Sequence, residues 1–383
     1  VDRRHRRRVL VAGCGDPRAS PRTFDADGHS IHGGCIREGR RNARREGRRT
    51  FPARRHEARL QEWFGDHIPE TGKIIQVAQF KGGQSNPTYK ISTEKKVFVL
   101  RRKPPGILLP SAHAVDREYR VMTALKDTEV PVPNTYGLCE DKDLIGTEFF
   151  VMDFLDGNIY WDLLLKDKSP EERKAIYLSK NKVIAELHKV DYESVGLTTY
   201  GKPGNYIARQ VSRWTKQYLA SQTEEIDAMN KLIDWLPGNI PDEDETCIVH
   251  GDYRLDNMVF GADNKVMGVL DWELSTLGHP VADFNYHCIS WRNIPQLADE
   301  KFCKEHGIPT ENEYRDMYSE TTGKDLSNNW EFYYVFNIFK LAGILQGIIG
   351  RVRDGTAASK HAEDRADQVR PLAEAAWSLV EKN

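Results

Sequence analysis

Residues Ile248 to Glu273 read IVHGDYRLDNMVFGADNKVMGVLDWE, and the organisation of the chain follows from this stretch. An apolar pair, Ile248 and Val249, leads into a polar loop that carries Asp252, and Asn257 stands five residues further on. The pattern then becomes a hairpin: apolar Met258 to Phe260, a turn at Gly261-Ala262-Asp263-Asn264, and a second strand from Lys265 to Leu270 that ends at Asp271. In an antiparallel hairpin the residue before the first strand and the residue after the second share one open end. Asn257 and Asp271 are therefore predicted to be neighbours despite their separation in sequence.

An amide oxygen beside a carboxylate offers the hard oxygen ligands that Mg²⁺ takes, commonly shared with substrate phosphates. Asp252 is then left to orient or deprotonate an attacking hydroxyl. The offset from Asp252 to Asn257 is the D-x-x-x-x-N spacing of a kinase catalytic loop, with His250-Gly251 where protein kinases have His-Arg. Asp and Asn are common turn residues at strand ends. Here the His-Gly-Asp triplet, the offset, the hairpin and the terminal Asp271-Trp272-Glu273 all agree with the chemical reading.

HGDYRLDN and VLDWE resemble the catalytic and metal motifs of the aminoglycoside phosphotransferase and choline kinase-like small-molecule kinases. GGQSNPTYK, VLRRKPPGILLPSAHAVDREYRV, GTEFFVMDFLDG and LDWELSTLGHPVADF are similar to the branch whose kinase domain is fused to an acyl-CoA dehydrogenase in larger animal proteins. The likeness runs from about Arg59 to about Leu379. It implies an α+β, protein kinase-like bilobal fold with a small β-rich N-lobe and a larger, mostly helical C-lobe. Residues 58–155 would form the nucleotide-binding lobe and 156–383 the catalytic and acceptor-binding lobe, after an Arg-rich extension or translation artefact at 1–57.

Of the 383 residues, 39% are hydrophobic and 29% charged, as in a soluble globular protein long enough for two cored lobes. The net charge of −2 hides an asymmetry, because residues 1–55 hold 16 Arg, no Lys and six acids. The remainder has 39 basic and 51 acidic residues, a net of −12, which argues against a nucleic-acid partner. The Arg-rich segment has no helical or strand period and too few apolar residues to offset its chain entropy, so disorder is expected there. Six cysteines without framework spacing point to a reducing compartment, the cytoplasm or, in a eukaryote, a mitochondrion or peroxisome. The longest apolar run, Phe332 to Gly350, is interrupted by Asn337, Lys340 and Gln346, and is expected to be a buried helix, with no membrane span.

A short helix over Leu60–Ile68 should precede strands at Ile74–Phe80 and Thr88–Ser92, which flank Lys81-Gly82-Gly83-Gln84-Ser85-Asn86. Glycine lets a backbone approach phosphates closely. The resemblance implies a nucleotide-covering loop here, with Gly82, Gly83 and Ser85 as contacts. Lys96–Arg102 is a third strand, and Arg101 stands where protein kinases carry a phosphate-pairing lysine, although a planar guanidinium is no free substitute for one. In the helix Ala114–Leu125, Val115, Glu118, Met122 and Leu125 recur at offsets of three, four and three, which puts Glu118 on the apolar face. A carboxylate there needs a cation, and Arg101 is the natural one. Thr147–Phe154 reads as the last strand of the small lobe, and by the resemblance the backbone from Asp153 to Leu155 would hydrogen-bond an adenine. The sequence does not choose ATP over GTP.

Ser169-Pro170-Glu171-Glu172 is a capping box that opens a helix to about His188, a residue expected to be structural. Further helices are predicted around Tyr206–Ala220, Glu224–Leu236, Glu311–Glu320, Asn328–Arg353 and Ser359–Lys382, the last three on the acceptor side. The resemblance implies that Asp283 braces the catalytic loop, with His250 as further support.

The combined expectation is an ATP- and Mg²⁺-dependent phosphotransferase acting on a small-molecule hydroxyl. No Walker sequence occurs. The fused branch is associated with hydroxyacyl-CoA acceptors, chiefly 4-hydroxyacyl-CoA, and Arg351 and Arg353 could face CoA phosphates. Residues 284–383 hold 15 acidic and 12 basic residues, short of the strongly acidic surface that a polycationic aminoglycoside calls for. Aminoglycoside and other small-alcohol kinases are the alternatives, as is a nucleotide-binding pseudokinase module, which the presence of Asp252, Asn257 and Asp271 disfavours.

Overall fold

The computed structural model describes residues 54–80, 86–104, 113–353 and 363–382. Gly82, Gly83, Ser85 and nearly all of the Arg-rich segment lie outside the described residues. The chain begins with α1 (Arg54–His67), β1 (Ile74–Gln79), β2 (Thr88–Thr93), β3 (Val97–Arg102), α2 (Val115–Leu125), β4 (Thr135–Cys139), α3 (Lys142–Ile145) and β5 (Phe149–Asp153). Three helices follow, α4 (Pro170–Lys189), α5 (Tyr206–Ser221) and α6 (Asp227–Trp235), then β6 (Cys247–Val249), β7 (Met258–Phe260), β8 (Val266–Val269) and β9 (Thr276–Gly278). The last part is helical: α7 (Pro280–Cys288), α8 (Ser290–Asn293), α9 (Glu300–His306), α10 (Glu311–Thr322), α11 (Trp330–Arg353) and α12 (Glu363–Val380).

These elements form two compact units. One holds the described residues up to Trp161 together with Leu255–Ser275; the other holds Asp162–Arg254 and the described residues from Thr276 onward. The first is built on an antiparallel sheet of order β1-β2-β3-β5-β4. Leu100 lies opposite Tyr89 and Val151, so the two-residue period sends Tyr89, Ile91, Phe98, Leu100, Phe149 and Val151 to one face. There they pack with Leu60, Trp63 and Phe64 of α1 in a buried cluster, each large side chain contributing about 1.5–3 kcal/mol of burial. Arg101, opposite Thr88 and Phe150, takes the other face. On that side Tyr119 of α2 lies against Phe150, with ring centroids 6.2 Å apart.

The β7-β8 hairpin belongs to this unit although it lies far along the chain. Asn158 and Phe260 exchange two backbone hydrogen bonds of 2.8 Å, and the Val269 amide donates to Pro131 O at 2.9 Å. Gly268 lies against the end of the Leu155 side chain, which would have to shift to admit a Cβ there.

In the helical unit, Ser169 Oγ accepts from the Glu172 amide and the Glu172 carboxylate accepts from the Ser169 amide, so the predicted capping box starts α4. α11 is long and apolar enough to cross a membrane, yet 72% of its most apolar stretch is buried inside the protein, against α5, α7 and α12. The polar residues that break its apolar run have partners. Asn337 Nδ2 donates to Ala282 O at 2.9 Å and Asn285 Oδ1 at 3.0 Å, Gln346 Nε2 donates to Ser221 O at 2.6 Å, and Lys340 Nζ lies 4.2 Å from the centroid of Tyr286. Two elements without an expectation from sequence are β4 and β9; β9 pairs with β6, Ile248 opposite Leu277, and so fixes the strand that feeds the Asp252 loop.

Candidate functional site

In the helical unit the loop after β6 is held by its backbone. Asp283, on α7, accepts the His250 amide on one oxygen at 2.9 Å and the Gly251 amide on the other at 3.0 Å. Its carboxylate also meets His188 Nε2 at 3.3 Å, and His188 Nδ1 lies 2.7 Å from the Tyr318 hydroxyl. Gly251 has φ +80°, a left-handed conformation that a side chain would strain. The Asp252 amide donates to His250 Nδ1 at 3.2 Å. One residue further, His287 Nδ1 donates to Tyr253 O at 2.8 Å and the Tyr253 hydroxyl donates to Lys180 O at 2.8 Å. Asp252 itself keeps 27% of its side chain exposed, with Arg254 Nε 3.4 Å from Oδ1. The arrangement leaves a carboxylate standing on a rigid loop, with the supports supplied by its neighbours.

In the sheet unit the hairpin closes as its spacing predicts. The Leu270 amide donates to Asn257 O at 2.8 Å, directly beyond the pairing of Met258 with Val269, so Asn257 and the residue after Leu270 meet at the open end. Asp271 has φ +63°, the left-handed conformation, and a short 3₁₀ turn over Trp272–Leu274 follows it. Arg101 gathers the acids. Its Nε donates to Glu118 Oε1 at 3.0 Å, and its Nη2 lies 2.6 Å from Asp271 Oδ1 and 3.9 Å from Glu273 Oε2. Burial works against the Arg101 charge, but Glu118 and Asp271 outweigh it and raise its pKa. Burial, with added repulsion from Asp271 and Glu273, pushes Glu118 up to about 7 against the pull of Arg101.

Glu118, Asp271 and Glu273 each offer a carboxylate oxygen within 4.8 Å of the others. Three acids around one guanidinium leave an excess of negative charge, and 41% of the Asp271 side chain is exposed. An all-oxygen donor set of this kind, with Asn257 on the same hairpin end, fits a hard divalent cation such as Mg²⁺.

Two of these residues carried no expectation. Glu273 was visible only as the last letter of Asp271-Trp272-Glu273, and the 3₁₀ turn brings it back toward Arg101. Asn86 donates from Nδ2 to Glu118 Oε1 at 3.0 Å and is 2% exposed. The Asp153 amide donates to Asn134 O at 2.9 Å, and its carboxylate meets Lys96 Nζ at 2.7 Å and accepts from the Tyr136 hydroxyl at 2.6 Å. A strand-terminal acid with neighbours beside β3 and on β4 satisfies its side chain within the sheet. Replacing Glu118 by Ala is expected to cost about 3 kcal/mol, because the buried Arg101 loses its most enclosed partner and Asn86 its acceptor. Urea denaturation checks this, and an unchanged midpoint would show that Asp271 alone suffices for Arg101.

A profile of the phosphotransferase enzyme family matches residues 76–322. Acyl-CoA dehydrogenase family member 10 of Mus musculus is 44% identical over 330 residues, which cover 84% of this chain and 30% of that protein. The chain spans less than half the length of the curated relatives it matches. Among solved structures, a candidate aminoglycoside phosphotransferase of Ralstonia eutropha superposes with a TM-score of 0.78 at 49% identity, over 85% of this chain and 98% of that one. A thermostable mutant of the aminoglycoside phosphotransferase APH(4)-Ia, solved with ADP and hygromycin B, shares the fold at a TM-score of 0.55 and 12% identity, over 84% of this chain and 98% of its own. The antiparallel sheet and the mostly helical remainder are thus those of a kinase-like α+β fold, and the chain belongs to the phosphotransferase enzyme family, whose members transfer phosphoryl groups to hydroxyl acceptors.

Proposed function

We propose that the enzyme is an ATP- and Mg²⁺-dependent kinase for a hydroxyl on a small molecule, with a hydroxyacyl-CoA, chiefly a 4-hydroxyacyl-CoA, as acceptor. The observation that carries the cofactor reading is the acid cluster around Arg101, in which Asp271 and Glu273 crowd a guanidinium already paired with Glu118. Asn257 and Asp271 would hold Mg²⁺, with Glu273 as a further oxygen donor. When bound, the ion neutralises charge on the phosphate oxygens. Arg101, kept in place by Glu118, orients the nucleotide phosphates, and Asp252 receives the acceptor's hydroxyl proton late in an in-line transfer. The ADP held by the APH(4)-Ia mutant supports a nucleotide donor. The likeness to a mouse protein named as an acyl-CoA dehydrogenase family member supports a CoA-linked acceptor. A second reading, an aminoglycoside acceptor, draws on the Ralstonia relative.

The test is ADP release against a panel of 4-hydroxyacyl-CoA, free hydroxy acids, choline and kanamycin, with and without a chelator. Turnover on the CoA thioester is expected, lost on chelation and restored by Mg²⁺. Asp271→Asn should lower kcat by roughly 10²–10³, since one charge-stabilising contact of that kind is worth this much. Turnover confined to kanamycin would replace the acceptor reading by the second one, and turnover indifferent to chelation would remove the metal.

A further inference from the structure

α5 carries a cation-rich face for which the transfer chemistry has no use. Arg209, Arg213 and Lys216 follow one another at offsets of four and three, which stacks them on one side of the helix. With Ala208 and Ser212 they line a shallow depression of about 600 Å³. The other side of α5 is core: Ile207, Val211 and Tyr218 are buried, and Gln217 Nε2 donates to Gly343 O of α11 at 3.4 Å. Packing on α11 therefore fixes which side faces out. Arg209 is held by the carbonyls of Lys202, at 2.6 Å, and Gly204. Arg213 lies 5.3 Å from the Trp214 ring, and neither Arg213 nor Lys216 has an ion-pair partner among the described residues.

This face belongs to the same unit as the Asp252 loop: α5 and α7 both pack on α11, and a Cβ on Gly278 of β9 would meet the ring of Tyr206 at the start of α5. Lys340, one turn before Gly343 on α11, is lowered by burial, pulled back up by Asp283 and Asp252, and lowered again by Arg213. The Tyr206 hydroxyl, at the start of α5, is raised by burial and by Asp283 and lowered by Arg213 and Arg209. Arg353, on α11, donates to Gln222 O at 3.3 Å at the end of α5.

We infer that the α5 face of Arg209, Ser212, Arg213 and Lys216 is the subsite for the phosphate groups of a CoA-linked acceptor. The inference rests on the hydroxyacyl-CoA reading above and adds where its charged end binds. A CoA thioester is a polyanion, and residues 56–383 carry a net charge of −12, so such a ligand needs a local concentration of cations to approach at all. The Arg213 guanidinium, the Lys216 ammonium and the Ser212 hydroxyl supply the donors that phosphate oxygens take, and Arg209, fixed by two carbonyls, adds its charge.

The variant Arg213→Glu/Lys216→Glu changes only exposed side chains, with Arg213→Gln/Lys216→Gln as a milder second form. The KM for 4-hydroxyacyl-CoA is expected to rise about tenfold, while kcat, the KM for ATP and the KM for the same acyl group on phosphate-free pantetheine stay as in the wild type. Equal KM values in variant and wild type would overturn the subsite. Calorimetry with CoA itself separates the two readings. CoA that binds the wild type and not the variant, with no hydroxyacyl-CoA turnover by either, leaves the anion subsite standing and removes the acceptor. CoA that binds both proteins alike, or neither, removes the subsite.

Discussion

Asp252→Asn is expected to lower kcat by roughly 10²–10⁴ while leaving the fold and the nucleotide KM unchanged. The size follows from the proposed role: a positioned base that takes the hydroxyl proton would lower the barrier of the transfer step and make little ground-state contact with the nucleotide. The intact fold follows from the supports of the loop. Asp283 holds the His250 and Gly251 amides, and His287 and Lys180 hold Tyr253 through its carbonyl and its hydroxyl. None of these bonds uses the Asp252 carboxylate, and Asn has nearly its shape. Steady-state kinetics beside a thermal melt checks both halves. A variant with near wild-type kcat would mean that the acceptor proton leaves by another route.

Asp283→Ala should act through structure, with a loss of about 3–5 kcal/mol in folding stability and of most activity at the same time. One buried carboxylate accepts two main-chain amides and faces His188, so its removal strips a partner from the buried His250 amide and His188 and from the part-buried Gly251 amide. Asn at this position can accept one amide but presents an NH₂ to the other, and an intermediate loss is expected. The pH dependence has a definite sign. Burial alone would push the Asp283 carboxyl up, but its hydrogen bond with His188 and its contacts with His188 and His250 outweigh burial and hold it below the usual carboxylate range. A group depressed in the native state contributes stability that is present above the unfolded value of about 3.9 and disappears as the pH falls through the native one. Urea midpoints of wild type and Asp283→Ala should therefore differ most at neutral pH and converge in acid. A gap that persists unchanged into strong acid would assign the loss to the cavity alone.

The sheet, the hairpin and the long helices were legible because each is written in a local period. Tyr89 and Ile91 alternate with polar Thr88, Lys90 and Ser92 and so state which face is buried before any partner is known, whereas Phe98 and Leu100 stand beside Val97 and Val99 and mark only a strand. The offsets from Val115 to Leu125 turned Glu118 inward, where it is 1% exposed. Asn257 and Asp271 met because a tight turn and two short strands leave them no other place. By contrast, a terminal strand residue shows its backbone period in sequence, but not that Tyr136, Asn134 and Lys96 converge on the Asp153 carboxylate from in or beside neighbouring strands.

Spacing within one strand, helix or hairpin was enough for the long helices, most strands, the open end that pairs Asn257 with Asp271 and the inward turn of Glu118, though not for β4 or β9. The remaining contacts depend on how separate elements pack. Arg101 meets an acid 170 residues away, Asp283 reaches back to the loop of Asp252 with His188 behind it, and Glu273 and Asn86 join the acid cluster only when separate elements pack. Contacts of this kind follow from which faces come together in the packed core, and no period within a single element encodes them.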